Sequence, residues 1–199
     1  MKELVFVDCD LTLVKTDVYP MLCKQLLFDK RKNKFFYQWK FVATEARPTA
    51  HQFLEALGQK YKVHILSLGH SVFQTRVLTE LGMIDMVDKI WGPDNVHELS
   101  RPENFVLIDD MSGESLGIGY KMTWLGRKRG LMSMDDFNLI LDKHFIHCRP
   151  YEGGPEHDEH LTDFLPTIDS LIEKQQEALK AENNRRRTSD ITVRTSAQE

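Results

Sequence analysis

The sequence is poor in cysteine: Cys9, Cys23 and Cys148 are its only three, and none of them forms a C-x-x-C pair. That argues against a thiolate zinc site or a disulfide scaffold and fits a reducing, cytoplasmic compartment. No stretch approaches the roughly 18 apolar residues of a membrane span. No apolar region follows a basic start, so no signal peptide is expected. Charge of one sign is also missing. With 26 basic and 30 acidic residues the formal net charge is −4, which gives no global pull toward nucleic acid or anionic membrane. What the 199 residues do hold is 41% apolar and 28% charged side chains, the balance of a soluble domain with a real core. There is no internal repeat.

The most informative segment is Leu4-Val-Phe-Val-Asp-Cys-Asp-Leu-Thr-Leu13. Four apolar residues make a buried strand that runs straight into Asp8, with Asp10 and Thr12 at steps of two. Burying an unpaired carboxylate costs several kcal/mol, so something positive is expected there. Strand ends in open parallel sheets are also where ligands bind. A second acidic strand end is Phe105–Ile108 followed by Asp109-Asp110, and Ser67 ends a strand over Lys62–Leu66.

Between these lie helical patterns. Thr49 is expected to cap a helix through Leu57 that stops at Gly58, and Ser71–Leu81 reads as a helix closed by Gly82. Lys89-Ile90-Trp91 and Phe145–Cys148 read as short strands, Glu114–Ile118 as a helix, and Met122–Leu125 as a further strand. A helix is expected over Asp158–Ile172, with Pro166 starting or bending a turn within it. Residues 14–46, with the aromatic run Phe35-Phe36-Tyr37-Gln38-Trp39-Lys40-Phe41, read as a small helical insertion. Strands alternating with helices imply a three-layer α/β/α Rossmann-like fold around a parallel sheet. The expected organisation is one domain over 1–172, with 14–46 as a cap-like insertion. A polar, disordered tail over 173–199 follows, containing Arg185-Arg186-Arg187.

Asp8-x-Asp10-x-Thr12 after an N-terminal strand resembles the first motif of the haloacid dehalogenase superfamily of phosphohydrolases. The resemblance implies Asp8 as nucleophile and Asp10 as general acid/base. It implies Thr12, Ser67 and a basic residue on the phosphate, and Mg²⁺ held by Asp8, Asp109, Asp110 and the backbone carbonyl of Asp10. For the basic residue Lys89 is preferred, with Arg101 as its rival. Three stretches are similar to RNA polymerase II C-terminal-domain phosphatases of the NLI-interacting-factor-like family. Asp8-Cys9-Asp10-Leu11-Thr12-Leu13-Val14 resembles their Asp-Leu-Asp-Glu-Thr-Leu-Val. Arg47-Pro48 with Phe53-Leu54 resembles their Arg-Pro-Gly segment, and Asp158-x-x-Leu161 with Phe164-Leu165-Pro166 resembles a motif near their end. Leu11 departs from the usual Glu. The 22 positions from Ser67 to Lys89 are also too few for the small β insertion of that family.

The expected partner is a phosphorylated substrate: a phosphopeptide, a nucleotide or a nucleic-acid end. No membrane and no obligate protein partner are expected. The alternatives are a nucleotide or small-metabolite phosphatase, or a phosphate-binding module of the same fold without turnover. The cluster Glu156-His157-Asp158-Glu159-His160 reads as a charged helix start rather than a metal site.

Overall fold

A computed structural model describes residues 2–21, 23–31, 33–100, 102–125, 134–154 and 160–196. Five strands form the central sheet: β1 (Leu4–Val7), β5 (Lys62–Leu66), β6 (Lys89–Trp91), β7 (Phe105–Asp109) and β8 (Phe145–His147), in the order β6-β5-β1-β7-β8. Every pairing is parallel. Successive side chains of a strand point to opposite faces, and the core divides accordingly. Val5 and Val7 belong to one apolar cluster with Phe53, Leu54, Val77 and Ile168, while Phe6 belongs to another with Ile118, Met122 and Leu125. One face is therefore covered by α2 (Ala50–Lys60), α3 (Ser71–Glu80) and α6 (Leu165–Ser196). The other is covered by α4 (Leu116–Leu125), with α5 (Met134–His144) against it.

The strand order contains a reversal. From β1 the chain steps outward to β5 and β6, then returns to the other side of β1 for β7 and β8. The crevice at such a reversal, at the carboxyl ends of the strands, is the favoured ligand site of an open α/β sheet. Here it is flanked by β1 and β7, the two strands that end in acids.

The insertion is a sheet, not the helical unit that its sequence suggested. β2 (Val14–Pro20), β3 (Asn33–Tyr37) and β4 (Lys40–Ala46) pair antiparallel in the order β2-β4-β3, and the only helix among the described residues of the insertion is α1 (Gln25–Phe28). The hairpin signal was hidden at the turn. Gln38 and Trp39 both take left-handed φ, of 45° and 65°, where Asn-Gly usually announces the bend. Arg47, fully buried at the foot of β4, donates from Nη2 to the Arg149 carbonyl at 2.5 Å and braces the insertion against the chain after β8.

Three further expectations are corrected. Met122–Leu125 is the end of α4 rather than a strand: Ile118, Met122 and Leu125 recur at helical spacing and pack into one cluster. Gly58 does not stop α2, which runs on to Lys60 and ends where Tyr61 turns extended. Thr49 makes no side-chain cap, and its hydroxyl instead accepts from the Leu161 amide at 3.3 Å. Gly82 does close α3, at φ +69°.

The stretch expected as a polar tail continues α6 to Ser196. Ile168, Ile172 and Gln175 anchor its first half. Gln175 donates to the carbonyls of Phe105 and Lys143 at 2.9 and 2.7 Å. The Ala, Glu, Lys and Gln that follow are strong helix formers. Residues 155–159, and with them most of the Glu156–His160 cluster, lie outside the described residues. So do the side chains of Arg186 and Arg187. No helix among the described residues is long and apolar enough to cross a membrane.

Candidate active site

Sheet register places the first pair of acids. Val7 is level with Ile108 in β7 and with Ile65 in β5. The next residue, Asp8, therefore stands beside Asp109, and Ser67 ends the neighbouring strand. The Asp8 amide donates to the Ile108 carbonyl at 2.9 Å and carries the pairing one residue beyond the strand. Carboxylate oxygens of Asp8, Asp109 and Asp110 all lie within 4.8 Å of one another, the one such acidic cluster among the described residues.

Asp8 and Asp109 are buried, and the charge that balances them is Lys121. Its Nζ donates to Asp8 Oδ1 at 2.6 Å and to Asp109 Oδ2 at 2.5 Å. Burial works against the ammonium, but the two carboxylates outweigh it and hold Lys121 above its usual value. One cation cannot neutralise two anions. Burial pushes Asp8 up to about 8, opposed by Lys121 and reinforced by the charge of Asp109. A site of hard carboxylate oxygens with one charge to spare suits a divalent cation.

The loop after β1 aims Asp10 elsewhere. Leu13 and Val14 amides both donate to the Cys9 carbonyl, at 2.9 and 3.1 Å, and Leu11 takes a left-handed φ of 60°. That conformation costs a non-glycine residue roughly 1–2 kcal/mol, and the loop's hydrogen bonds hold it. Asp10 Oδ2 accepts from Gln74 Nε2 at 2.7 Å. Burial raises the Asp10 pKa, while hydrogen bonds from Gln74 and Thr16 pull it back. The same Gln74 nitrogen lies 3.1 Å from Ser67 Oγ, which also accepts from the Gly69 amide at 3.0 Å. Both contacts donate to Ser67, so its own proton is left for an acceptor such as a phosphoryl oxygen. A Cβ at Gly69 would collide with the Gln74 amide, so glycine is needed for this close approach.

Of the residues singled out from sequence, the structure brings Asp8, Asp10, Thr12, Ser67, Asp109 and Asp110 to one end of the sheet. Thr12 is fully buried. Its hydroxyl, expected on the phosphate, donates to Asp110 Oδ1 and accepts from the Asp110 amide, both at 3.1 Å. It therefore ties the β1 loop to the β7 loop.

Lys89 is not at the site. It opens β6 in register with His64, two residues before the carboxyl end. Its Nζ lies 4.1 Å from the Trp91 ring centroid and 3.9 Å from Glu98. Arg101, the rival, lies outside the described residues. Sequence reasoning missed both Lys121 and Gln74. The signal for Lys121 was present: it is the only charge in Leu-Gly-Ile-Gly-Tyr-Lys-Met-Thr-Trp-Leu, on the buried side with Gly117, Ile118, Met122 and Leu125. Splitting that helix into a helix and a strand hid the face.

A doubly covered parallel sheet with acids at the ends of its first and fourth strands, β1 and β7, and a buried lysine between them defines a haloacid dehalogenase-type α/β protein. Residues 3–101 match the model of the NLI interacting factor-like phosphatases. No curated protein matches the chain.

Among solved structures it is similar to fission yeast Fcp1, an RNA polymerase II CTD phosphatase, bound to beryllium fluoride. The identity is 18% and the TM-score 0.49, over 95% of this chain and 56% of that one. The HAD domain of effector protein Lem4 from Legionella pneumophila is 12% identical, over 87% of this chain and 97% of that one, at a TM-score of 0.41. A haloacid dehalogenase-like hydrolase from Streptococcus pneumoniae is 15% identical, over 62% of this chain and 80% of that one, at 0.39. The chain spans about half the length of the two Fcp1 chains, 56% and 53%.

Proposed function

We propose that this protein hydrolyses phosphomonoesters through an aspartyl-phosphate on Asp8. The observation that carries the reading is the convergence of Asp8, Asp109 and Asp110 with Lys121 bridging the first two. An Asp8 carboxylate oxygen attacks phosphorus and the bond to the leaving oxygen breaks. Asp10 gives its proton to that oxygen. It then takes a proton from the water that attacks the acyl phosphate, which returns the Asp8 carboxylate and releases inorganic phosphate. Lys121 and the Ser67 hydroxyl offset the charge of the transferring group.

Asp8, Asp109, Asp110 and the backbone carbonyl of Asp10 would hold Mg²⁺. Bound there, it lowers the repulsion between carboxylate and phosphate. Lys121 donates to Oδ1 of Asp8 and Thr12 donates to Oδ1 of Asp110, which orients both carboxylates toward the cluster. Asp109 accepts from Lys121 and from the Met111 amide at 2.9 Å, and these contacts fix its carboxylate beside Asp8. The expected substrate class is a phosphoprotein or a nucleic-acid end, with nucleotides as the smaller alternative. The test is turnover of p-nitrophenyl phosphate, which EDTA abolishes and added Mg²⁺ restores. Full turnover in EDTA overturns the reading.

Two further results are expected. Gln74→Ala removes the shared donor of Asp10 and Ser67, and a hydrogen bond to a charged group is worth about 1.5–3 kcal/mol. kcat should fall about 10- to 100-fold with a smaller change in KM, as measured by steady-state kinetics.

The second concerns Mg²⁺ and pH. Asp8 has a folded pKa of about 8 against an ordinary 3.8, so the folded protein holds a proton that the unfolded chain has released. Without metal, that contribution to stability is lost as pH rises from about 4 to about 8. A cation that displaces the proton offsets the loss. Thermal melts should therefore show a larger Mg²⁺-induced rise in Tm near pH 8.5 than near pH 5.5, with the stabilisation at the higher pH approaching ~2.7 kcal/mol at about 100 times Kd. An equal rise at both pH values would mean that Asp8 is not a ligand.

A further inference from the structure

The groups at the acidic end of the sheet lie low, and their neighbours stand out. Asp8, Ser67 and Lys121 are 5%, 2% and 1% exposed. Each loop that carries a site residue continues with an apolar one: Leu11 after Asp10, Leu68 after Ser67 and Met111 after Asp110. These three are 38%, 37% and 38% exposed. Thr12, Gly69 and Ser112 come next, so no charge follows Asp10, Ser67 or Asp110 within two positions. Single exposed apolar side chains are ordinary. Three at the same place in three separate loops, around one buried charged site, form a rim.

Two of the three are packed together. A Cβ at Gly117 would collide with Met111 Sδ and stand 3.0 Å from Leu68 Cδ1, so both side chains rest on the bare backbone of α4. Gly117 and Lys121 are one turn apart and share a helix face. The Lys121 ammonium bridges Asp8 and Asp109. The Leu68–Met111 step therefore borders the phosphoryl site. Apolar surface continues beyond it along α4, where Leu116 and Tyr120 are 84% and 60% exposed and precede Gly117 and Lys121 by one residue each.

This rim selects what is attached to the phosphate. It offers nothing to sugar hydroxyls or further phosphates, which lose water on reaching it. It gains by covering a ring, and a methionine sulfur makes favourable contacts with aromatic rings. Depth selects as well. A seryl phosphate carries its phosphorus close to the main chain. A tyrosyl phosphate carries it beyond a whole ring and reaches a sunken Asp8 with the peptide backbone still outside.

We propose that Leu68 and Met111 receive the ring of a phosphotyrosyl side chain, and that Leu116 and Tyr120 take apolar residues of the peptide around it. The proposal rests on the reading of Asp8 as the centre of a phosphoryl site, and it narrows the phosphoprotein class to one kind of phosphorylated residue.

The test has a binding arm and a turnover arm, both on the full chain with Mg²⁺. Calorimetry compares phenylphosphonate with methylphosphonate, which share the anion and differ in the ring. The wild type should bind the phenyl compound about tenfold tighter, the low end for one added apolar group in a pocket. Steady-state kinetics on one peptide sequence carrying phosphotyrosine or phosphoserine should give a kcat/KM ratio of at least about ten in favour of phosphotyrosine. L68S/M111S should bring both ratios close to one, a change that a general loss of structure does not produce. Both side chains are more than a third exposed, so circular dichroism should match the wild type. Equal affinity for the two phosphonates overturns the proposal. So do ratios unchanged in L68S/M111S, faster turnover of the phosphoserine peptide, or a 3′-phosphorylated oligonucleotide that outcompetes the phosphotyrosyl peptide. Ring-selective binding without turnover keeps the rim and overturns the aspartyl-phosphate reading. Turnover without ring selectivity does the reverse.

Discussion

Asp8→Asn should abolish phosphomonoester turnover while leaving the fold intact. The substitution keeps the shape of the side chain and removes the nucleophile. A reaction that depends on a covalent intermediate then loses at least about 10⁴-fold in kcat. The stability of the variant adds a second, opposite signature. Asp8 is a buried acid whose ionisation the fold resists. An amide there no longer competes for the single charge on Lys121, which keeps Asp109. In metal-free buffer above about pH 8, the variant should melt at or above the wild-type temperature, because the wild type then carries the cost of two buried carboxylates on one cation. Loss of activity together with unchanged or higher Tm is the pattern of a functional site held at the expense of stability. Residual turnover within tenfold of wild type would place the nucleophile elsewhere.

Lys121→Met should be the most disruptive single change in the molecule. Methionine fills much the same volume on α4 but leaves Asp8 and Asp109 buried without a cation. Breaking a buried ion pair by removing one partner costs about 3–5 kcal/mol. In a domain of this size that is a drop of roughly 6–20 °C in Tm. The loss should shrink as pH falls, because protonated carboxyls no longer need the lysine. Turnover should fall even at temperatures where the variant is folded, since the group that offsets phosphoryl charge is gone. Lys89→Met is the matched control. Its side chain is half exposed, on a surface away from the acids, and neither Tm nor kcat should change. If the two variants exchanged these outcomes, the basic residue of the site would be Lys89 after all.

Much of the site was legible along the chain because its parts are local. A strand that ends in acid is visible over five residues, and it placed Asp8, Ser67, Asp109 and Asp110 at strand ends before any pairing was known. The layers followed from alternating strands and helices. Other parts were hidden for identifiable reasons. The insertion reads as helical along the chain because its hairpin turns at Gln38-Trp39, residues with no turn signature. The family resemblance puts Thr12 on the phosphate, yet its hydroxyl is committed to Asp110 across 98 positions. Lys89 stands out along the chain because the resemblance puts the basic residue between Ser67 and the acid pair, where Lys89 opens a short strand after a helix, whereas Lys121 follows the second acid pair.

The one-dimensional sequence therefore determined the strands of the central sheet and their acidic ends, since apolar runs and the cost of burying charge act within a few residues. Which cation meets those acids, and which amide steadies Asp10, was decided only by the tertiary fold. Lys121 reaches Asp8 across 113 positions, and Gln74 reaches Asp10 across 64. The contacts exist because parallel register stacks the strand ends and the covering helices bring a side chain over them, and separation along the chain carries no record of that geometry.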